Sequence, residues 1–272
     1  MTIGLCTDSN AQMPAELVAR YGVAVVPLTV VIDGRSLLEG EELEADAFYA
    51  AMAASPPPSV TTAAPSPGRF VAAYQALAGA GATAIVSVHI GSAISGTLNS
   101  ARVAADLSPV PVHLVDTGTA SFAVACCVWE AAEALARGAG ADEAARVAGE
   151  VAGCTDNVFV VKALDLARAG GRLSRAAGGA VDGGAIPVLR LVDGIYRAVA
   201  QVHTVADAAE VMAGAVLAGT GPGGGTRLRV GISIADAAAA PLWQALEDRL
   251  AGRPEIADLV RYRVGPSVGV HT

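Results

Sequence analysis

"AIVSVHIGSAISGTLNSARVAADL", residues 84–107, runs from a β-branched segment through a loop of glycine and hydroxyls into an alanine-rich stretch. Read with the periodicities of two and 3.6, it is a strand over 84–88, a loop, and a helix from about Thr97 to Leu107. That order, strand then loop then helix, is the unit from which parallel α/β sheets are built. The question it raises is whether "HIGSAISGT", residues 89–97, merely turns the chain or offers an anion a bed of hydroxyls and backbone N–H groups.

The same alternation continues on both sides. Downstream, "VHLV" (112–115) reads as a strand, "DTGTAS" (116–121) as a loop, and helices follow to about Arg137 and over 141–152 before the strand "NVFVV" (157–161). Upstream, "TIGLCT" (2–7) is a short buried strand, followed by "DSN" and a helix from Pro14 to Tyr21, with proline at its start. "VAVVPLTVVIDGRSLLEG" (23–40) reads as strand, Asp33-Gly34 turn and strand. A helix over 44–54 stops at the prolines of "SPPPS" (55–59). Phe70, Tyr74 and Leu77 then fall on one helical face after Ser66-Pro67.

After Lys162 the pattern changes. "ALDLARAGGRLSRAAGGA" (163–180) reads as two short helical pieces around a glycine pair, and "IPVLRLVDGIYRAVAQ" (186–201) as a hairpin across Asp193-Gly194. A helix over 204–218, a glycine-rich linker, a strand "RLRVGISI" (227–234), a helix over 238–251 and a strand "LVRYRV" (259–264) complete the chain. The expected architecture is α/β with two domains: residues 1–160 an N-terminal parallel α/β sheet domain, residues 161–272 a C-terminal α+β domain.

The length, 272 residues, suits one large or two modest domains. Apolar residues make up 53% of the chain, and the mean hydropathy is +0.49. The excess is largely alanine, and the most apolar run, Thr119 to Trp129, is interrupted by Glu130 before it could cross a bilayer. No signal peptide is read at "MTIGLCTDSN", so a soluble, cytoplasmic protein is expected. With a net charge of −8 and arginines scattered along the chain, no broad nucleic-acid surface is expected. The four cysteines, Cys6, Cys126, Cys127 and Cys154, match no zinc or redox spacing and read as buried thiols. His89, His113, His203 and His271 show no metal-ligand spacing.

Ligands of open α/β sheets sit beyond the carboxyl ends of the strands. Here those ends carry Asp8, Ser9 and Asn10; Ser92, Ser95 and Thr97; and Asp116, Thr117 and Thr119, with Thr61, Thr62 and Ser66 preceding the Phe70 helix. Serine and threonine before a helix are ordinary caps. Their accumulation at one sheet edge favours an anion site, because free helix N–H groups attract negative charge.

At these residues the sequence resembles the DegV family of bacterial fatty-acid-binding proteins. "CTDSNAQMP" (6–14) is similar to the family's T-D-S-T/N-x-x-L/M-P, "VTTAAPSPGRF" (60–70) to T-S-Q-P-S-P, and "GSAISGTLNSA" (91–101) to S-S-x-L-S-G-T-x-x-S-A. "VDTGTAS" (115–121), "ARAGGRLS" (167–174), "IPVLRLVDGIYR" (186–197) and "GVHT" (269–272) follow the family's later motifs in order. The copy departs from the pattern at "TTAAP", and at Gly91, where a serine is usual.

The resemblance implies a two-domain fold with a lipid tunnel between the domains and a long-chain fatty acid as ligand, with no metal or other cofactor. It implies that Thr62 and Ser95 hold the carboxylate, with Thr61 competing for the first role and Gly96 part of the same seat. It implies that Arg172 and His271 present the head group to a partner, the catalytic subunit of a fatty acid kinase. That kinase makes an acyl phosphate for phospholipid synthesis, so this chain is expected to be a carrier and not an enzyme, with transient membrane contact left open. Two rivals stand beside it: a self-contained enzyme acting on a small carboxylated or phosphorylated metabolite through Asp8, Ser95 and Asp116, and a lipid-sensing regulatory module. "GPSVG" (265–269) matches the G-x-S-x-G nucleophile motif but lacks the long helix that motif needs after it.

Overall fold

The computed structural model describes residues 2–161, 185–192, 194–219 and 227–271. The chain forms two compact units, one from Met1–Glu44 and Ala54–Thr155, the other from Ala45–Ala53 and Asp156–Thr272.

The first unit is built on a parallel sheet of β1 (Thr2–Asp8), β2 (Val23–Val26), β6 (Ala82–His89) and β7 (Val112–Asp116), in the order β2-β1-β6-β7. Three further strands, β3 (Thr29–Ile32), β4 (Arg35–Leu38) and β5 (Val60–Ala63), make a small antiparallel sheet in the order β4-β3-β5. Helices α3 (Pro67–Gly79) and α4 (Thr97–Ala105) pack together beside the parallel sheet, as do α5 (Phe122–Ala136) and α6 (Ala141–Ala152). α1 (Ala15–Tyr21) connects β1 to β2 and meets α5 through Arg20 and Tyr21 at Glu133.

Alternation along the strands explains the first core. Cys6, Ile85 and Val26 turn to Phe70 and Tyr74 of α3 and to Ala101 and Ala104 of α4, all of them buried. Ser87 and His89 share the parity of Ile85 and therefore the same face. β6 is covered on both sides, as a central parallel strand must be, and its last five residues are all buried.

The segment 23–40 departs from the expected single strand before the turn. β2 pairs parallel with β1, whereas β3 pairs antiparallel with β4 and β5 in the other sheet. The break falls at Pro27, which has no N–H to continue a ladder. The turn itself is as expected: Asp33 and Gly34 have φ of 47° and 80°, the two positive values a tight hairpin requires. A second difference is β5, since the segment around Thr61 and Thr62, to which the sequence assigns no element, forms a strand.

In the second unit, β8 (Val158–Val160), β9 (Ile186–Val192) and β10 (Ile195–Val202) form an antiparallel sheet, with the expected hairpin between β9 and β10. β11 (Leu228–Ile234) and β12 (Ile256–Arg263) pair parallel, connected through α8 (Ala240–Leu250). α7 (Val205–Ala218), capped by the Thr204 hydroxyl on the Asp207 N–H, and α8 share a core of Ala209, Met212, Val188, Ile232 and Leu250.

A sequence cut at 160 leaves α2 (Ala45–Met52) in the first domain, whereas its residues group with 156–272. The reason is local packing. A Cβ on Gly269, in the one-turn helix α9 (Pro266–Gly269), would lie 2.6 Å from Tyr49 Oη and 2.9 Å from Phe48 Cε1. Arg263 also pairs with Asp46 and lies over the Tyr49 ring, 5.5 Å from its centre.

Candidate functional site

The strand order of the parallel sheet reverses between β1 and β6: the chain leaves β1 for β2 on one side and β6 for β7 on the other. Loops leaving the carboxyl ends of two such strands diverge to opposite faces and open a crevice between them. The register brings Thr7 opposite Val88 and His89 opposite Asp116, so Asp8, His89 and Asp116 sit side by side along that edge.

Asp8 and His89 have no solvent exposure. The Asp8 carboxylate receives the N–H of Asn10 at 3.1 Å, the N–H of Ile90 at 3.1 Å and His89 Nδ1 at 2.9 Å. His89 Nε2 lies 2.7 Å from Ser87 Oγ, and Ser87 Oγ lies 2.9 Å from the Tyr74 hydroxyl. With Nδ1–H given to Asp8, Nε2 of a neutral ring accepts the Ser87 proton, and Tyr74 donates to Ser87. The Phe70 ring meets the imidazole edge to face, with centroids 5.0 Å apart. The chain of contacts thus joins β1 and β6 to α3, the helix that follows Thr62.

The loop from His89 to Thr97 is anchored residue by residue. The His89 carbonyl accepts from the Thr117 hydroxyl at 2.8 Å, and the Gly91 N–H donates to the Thr119 carbonyl at 2.8 Å. Ser92 donates both its N–H, at 3.0 Å, and its hydroxyl to the Asp116 carboxylate. The N–H groups of Ile94 and Ser95 return to the Gly91 carbonyl. Gly91 cannot carry a side chain here, because a Cβ would lie 2.7 Å from Gly118 Cα. On the next loop Ser121 holds φ 60° and ψ −148°, a region costing about 1–3 kcal/mol for a residue with a Cβ, and its N–H donates to Asn10 Oδ1 at 2.9 Å.

Partial burial alone would raise the Asp116 carboxyl, but the hydrogen bonds from Ser92 and from the Gly118 N–H, with the nearby charge of Arg102, outweigh it and hold the group below its ordinary value. Asp116 therefore serves the loop that carries Ser95 as a fixed carboxylate.

Ser95 is half-buried at the end of this loop. Its Oγ lies 2.8 Å from Thr97 Oγ1 and accepts the Thr97 N–H at 3.3 Å. Gly96 is exposed, and a Cβ there would lie 3.9 Å from Ala64 Cβ. That approach brings the end of β5 beside the start of α4. In β5, Thr62 pairs with Val30 and Thr61 with Val31, so the two hydroxyls point to opposite faces; Thr62 is half-buried and Thr61 exposed. Thr61, Thr62, Ser95 and Gly96 accordingly belong to one unit. His271, whose N–H donates to the Val268 carbonyl at 2.9 Å, belongs to the other. Arg172 lies outside the described residues.

Several sequence readings resolve differently. Asp8, named at the end of the first strand, caps Asn10 through one oxygen, and its other oxygen is committed to His89. Cys154, expected to be buried, is exposed at the end of α6, while Cys6, Cys126 and Cys127 are buried. Ser267 is buried inside α9 and does not stand at a sharp turn. Asn10 and Thr97 are named at the sheet edge by the sequence reading, without their partners; what escapes it is the buried pairing of His89. The parity of Ser87 and His89 with Ile85 is a signal for that pairing. Among the described residues no cluster of three metal-ligating side chains occurs, and no helix is long and apolar enough to cross a membrane.

Comparisons with known proteins agree with one another. The family model described as "Uncharacterised protein, DegV family" matches residues 2–272. A DegV domain-containing protein of Streptomyces coelicolor is 38% identical over 274 residues, 99% of this chain and 94% of the relative. A DegV family protein from Thermus thermophilus, whose structure is described as one of fatty acid binding, superposes with a TM-score of 0.83 at 29% identity, covering 100% of this chain and 96% of the other. DegV of Bacillus subtilis, described as a fatty acid binding protein, superposes with a TM-score of 0.87 at 25% identity, covering 100% and 95%. The chain belongs to the DegV family.

Proposed function

We propose that this protein binds a long-chain fatty acid, holds its carboxylate between Thr62 and Ser95, and presents it to a partner kinase without catalysing a reaction itself. The observation that carries the reading is the approach of Gly96 to Ala64, which sets the end of the Thr62 strand against the Ser95 loop at the sheet's topological switch point. Supporting it are the relatives from Thermus thermophilus and Bacillus subtilis, both described as binding fatty acid.

The chemistry suits the ligand. Two neutral hydroxyls and the positive end of the α4 dipole can hold one carboxylate without a buried lysine, whose desolvation would be costly. The acyl chain needs only apolar wall, which contributes about 0.8 kcal/mol per buried methylene. In the kinase step a carboxylate oxygen bonds to the γ-phosphorus of a nucleoside triphosphate as the bond to the diphosphate breaks. Arg172 and His271 are assigned to presenting the head group, and the cytoplasm, where such a kinase works, is the assigned compartment.

Solvent extraction of the purified protein followed by mass spectrometry tests the binding. A preparation that carries no fatty acid and takes up neither palmitate nor oleate overturns the reading. Ser95→Ala should weaken retention by about 1–3 kcal/mol, the cost of removing a donor from a buried anion. Arg172→Ala should keep the lipid and lose kinase-dependent phosphorylation; unchanged phosphorylation points instead to a regulatory module. A self-contained enzyme using Asp8 is disfavoured, since that carboxylate is fully buried and committed to three donors.

A further inference from the structure

We propose that Thr97 sets the direction of the proton at Ser95 and thereby makes the seat selective for an anionic carboxylate over a neutral head group. The inference rests on the fatty-acid reading above and deepens it.

Thr97 has no solvent exposure. Its hydroxyl proton must therefore be given to an acceptor within the protein, because a buried donor left unpaired is costly, more so than an unfilled lone pair. Among the described residues the oxygen in reach is Ser95 Oγ, at 2.8 Å. The same Oγ accepts the Thr97 N–H at 3.3 Å. A serine hydroxyl has two lone pairs and one proton. Both lone pairs are then taken by Thr97, and the remaining O–H of half-buried Ser95 is left as a donor only.

A donor-only hydroxyl distinguishes ligands. A carboxylate offers acceptors and no proton, so it matches Ser95 fully. An alcohol must find an acceptor for its own proton, and Ser95 has none to give. Donation from Thr97 also polarises the Ser95 O–H and strengthens its bond to an anion. Removing the Thr97 hydroxyl frees a lone pair on Ser95, so the site should bind the anion less well and tolerate the alcohol better.

Thr97 is thus a positioning residue, and the readout is a ratio of affinities, which a purely structural role would not move. The measurement is the dissociation constant of palmitate and of 1-hexadecanol for wild type, Thr97→Val and Thr97→Ser, by displacement of a fluorescent fatty acid. Wild type should prefer palmitate by at least about tenfold, as expected for a hydrogen bond to a charged group. Thr97→Val should reduce that preference about tenfold, and Thr97→Ser, which keeps the hydroxyl, should retain it. Thr97→Ala, which adds no bulk, takes the place of Thr97→Val if the valine variant does not fold. An unchanged ratio in the hydroxyl-free variant, a loss of preference in Thr97→Ser, or a wild type without preference overturns the proposal. A wild type that binds neither probe removes the fatty-acid reading itself, whereas palmitate binding with an unchanged variant ratio removes only the role of Thr97.

Discussion

His89 Nδ1 lies 2.9 Å from Asp8 Oδ2, and neither side chain reaches solvent. The pair joins the carboxyl ends of β1 and β6, the two strands between which the sheet reverses its order. Asp8→Ala removes the acceptor of three donors at once and leaves the imidazole buried without it. It should destabilise the protein by at least about 1–3 kcal/mol, the cost of leaving a buried donor without its acceptor. Urea unfolding of the variant against wild type measures this; a loss under 1 kcal/mol would contradict the assigned hydrogen bonds.

Gly91 and Gly118 touch through their backbones, and a Cβ on Gly91 would meet Gly118 Cα and C at 2.7 Å. Neither atom belongs to a side chain that can swing away. Gly91→Ala must push the two loops apart and should cost about 1–3 kcal/mol, typical of overpacking. It should also weaken palmitate binding, because the displaced loop carries Ser95. Thermal unfolding and palmitate titration of the same variant check both outcomes.

In the second unit a Cβ from Gly269→Ala would meet side-chain atoms instead of backbone, Tyr49 Oη at 2.6 Å and Phe48 Cε1 at 2.9 Å, both on α2. It should cost less than Gly91→Ala, about 1 kcal/mol, because the two rings can shift in part. Tyr49→Ala should relieve part of that cost when combined with it, and a double-mutant cycle by urea unfolding shows the coupling. Strict additivity of the two losses would mean that α2 and α9 are not in contact in solution.

The lowered pKa of Asp116 gives its interactions a predictable pH dependence. A carboxyl whose folded value lies below its unfolded value, about 3.9, stabilises the structure fully above that value. The contribution is lost as pH falls through the lower folded value. Amide exchange at Ser92 should therefore be slower in wild type than in Asp116→Asn at neutral pH. The difference should shrink only once the solution becomes more acidic than about pH 4.

Thiol reactivity separates the four cysteines. Burial pushes the thiols of Cys6 and Cys127 up to about 12, so both stay protonated at neutral pH. Cys126 is buried as well, while Cys154 is exposed. Iodoacetamide on the native protein should add one label, on Cys154, with the other three labelled only after unfolding; peptide mass spectrometry locates the label.

Much of the architecture is legible from local pattern. The alternation of β-branched and helical segments from Ala82 to Ala152 yields the parallel α/β unit, and Asp33-Gly34 marks the β3–β4 hairpin. The loop bearing Ser95 is legible for the same reason, because a strand, a run of small hydroxyl residues and a helix follow one another within the segment. Where local pattern is ambiguous the reading stops. Val60 to Ala63 is too short and too hydroxyl-rich to declare itself a strand, although three of its four residues are β-branched.

Tertiary structure decided what depends on partners distant in sequence. Strand register alone sets Asp8 beside His89, 81 residues away, and so turns a histidine without metal-ligand spacing into the support of a loop. The close approach of Gly91 to Gly118 and of Gly96 to Ala64 likewise depends on how separate loops pack. So does the grouping of α2 with β12 and α9, which no linear cut reproduces. By itself the sequence determined which segments are strands, turns and helices, because propensity and periodicity act between near neighbours. Only the folded chain determined which side chains meet, because register and packing act between residues that the sequence keeps apart.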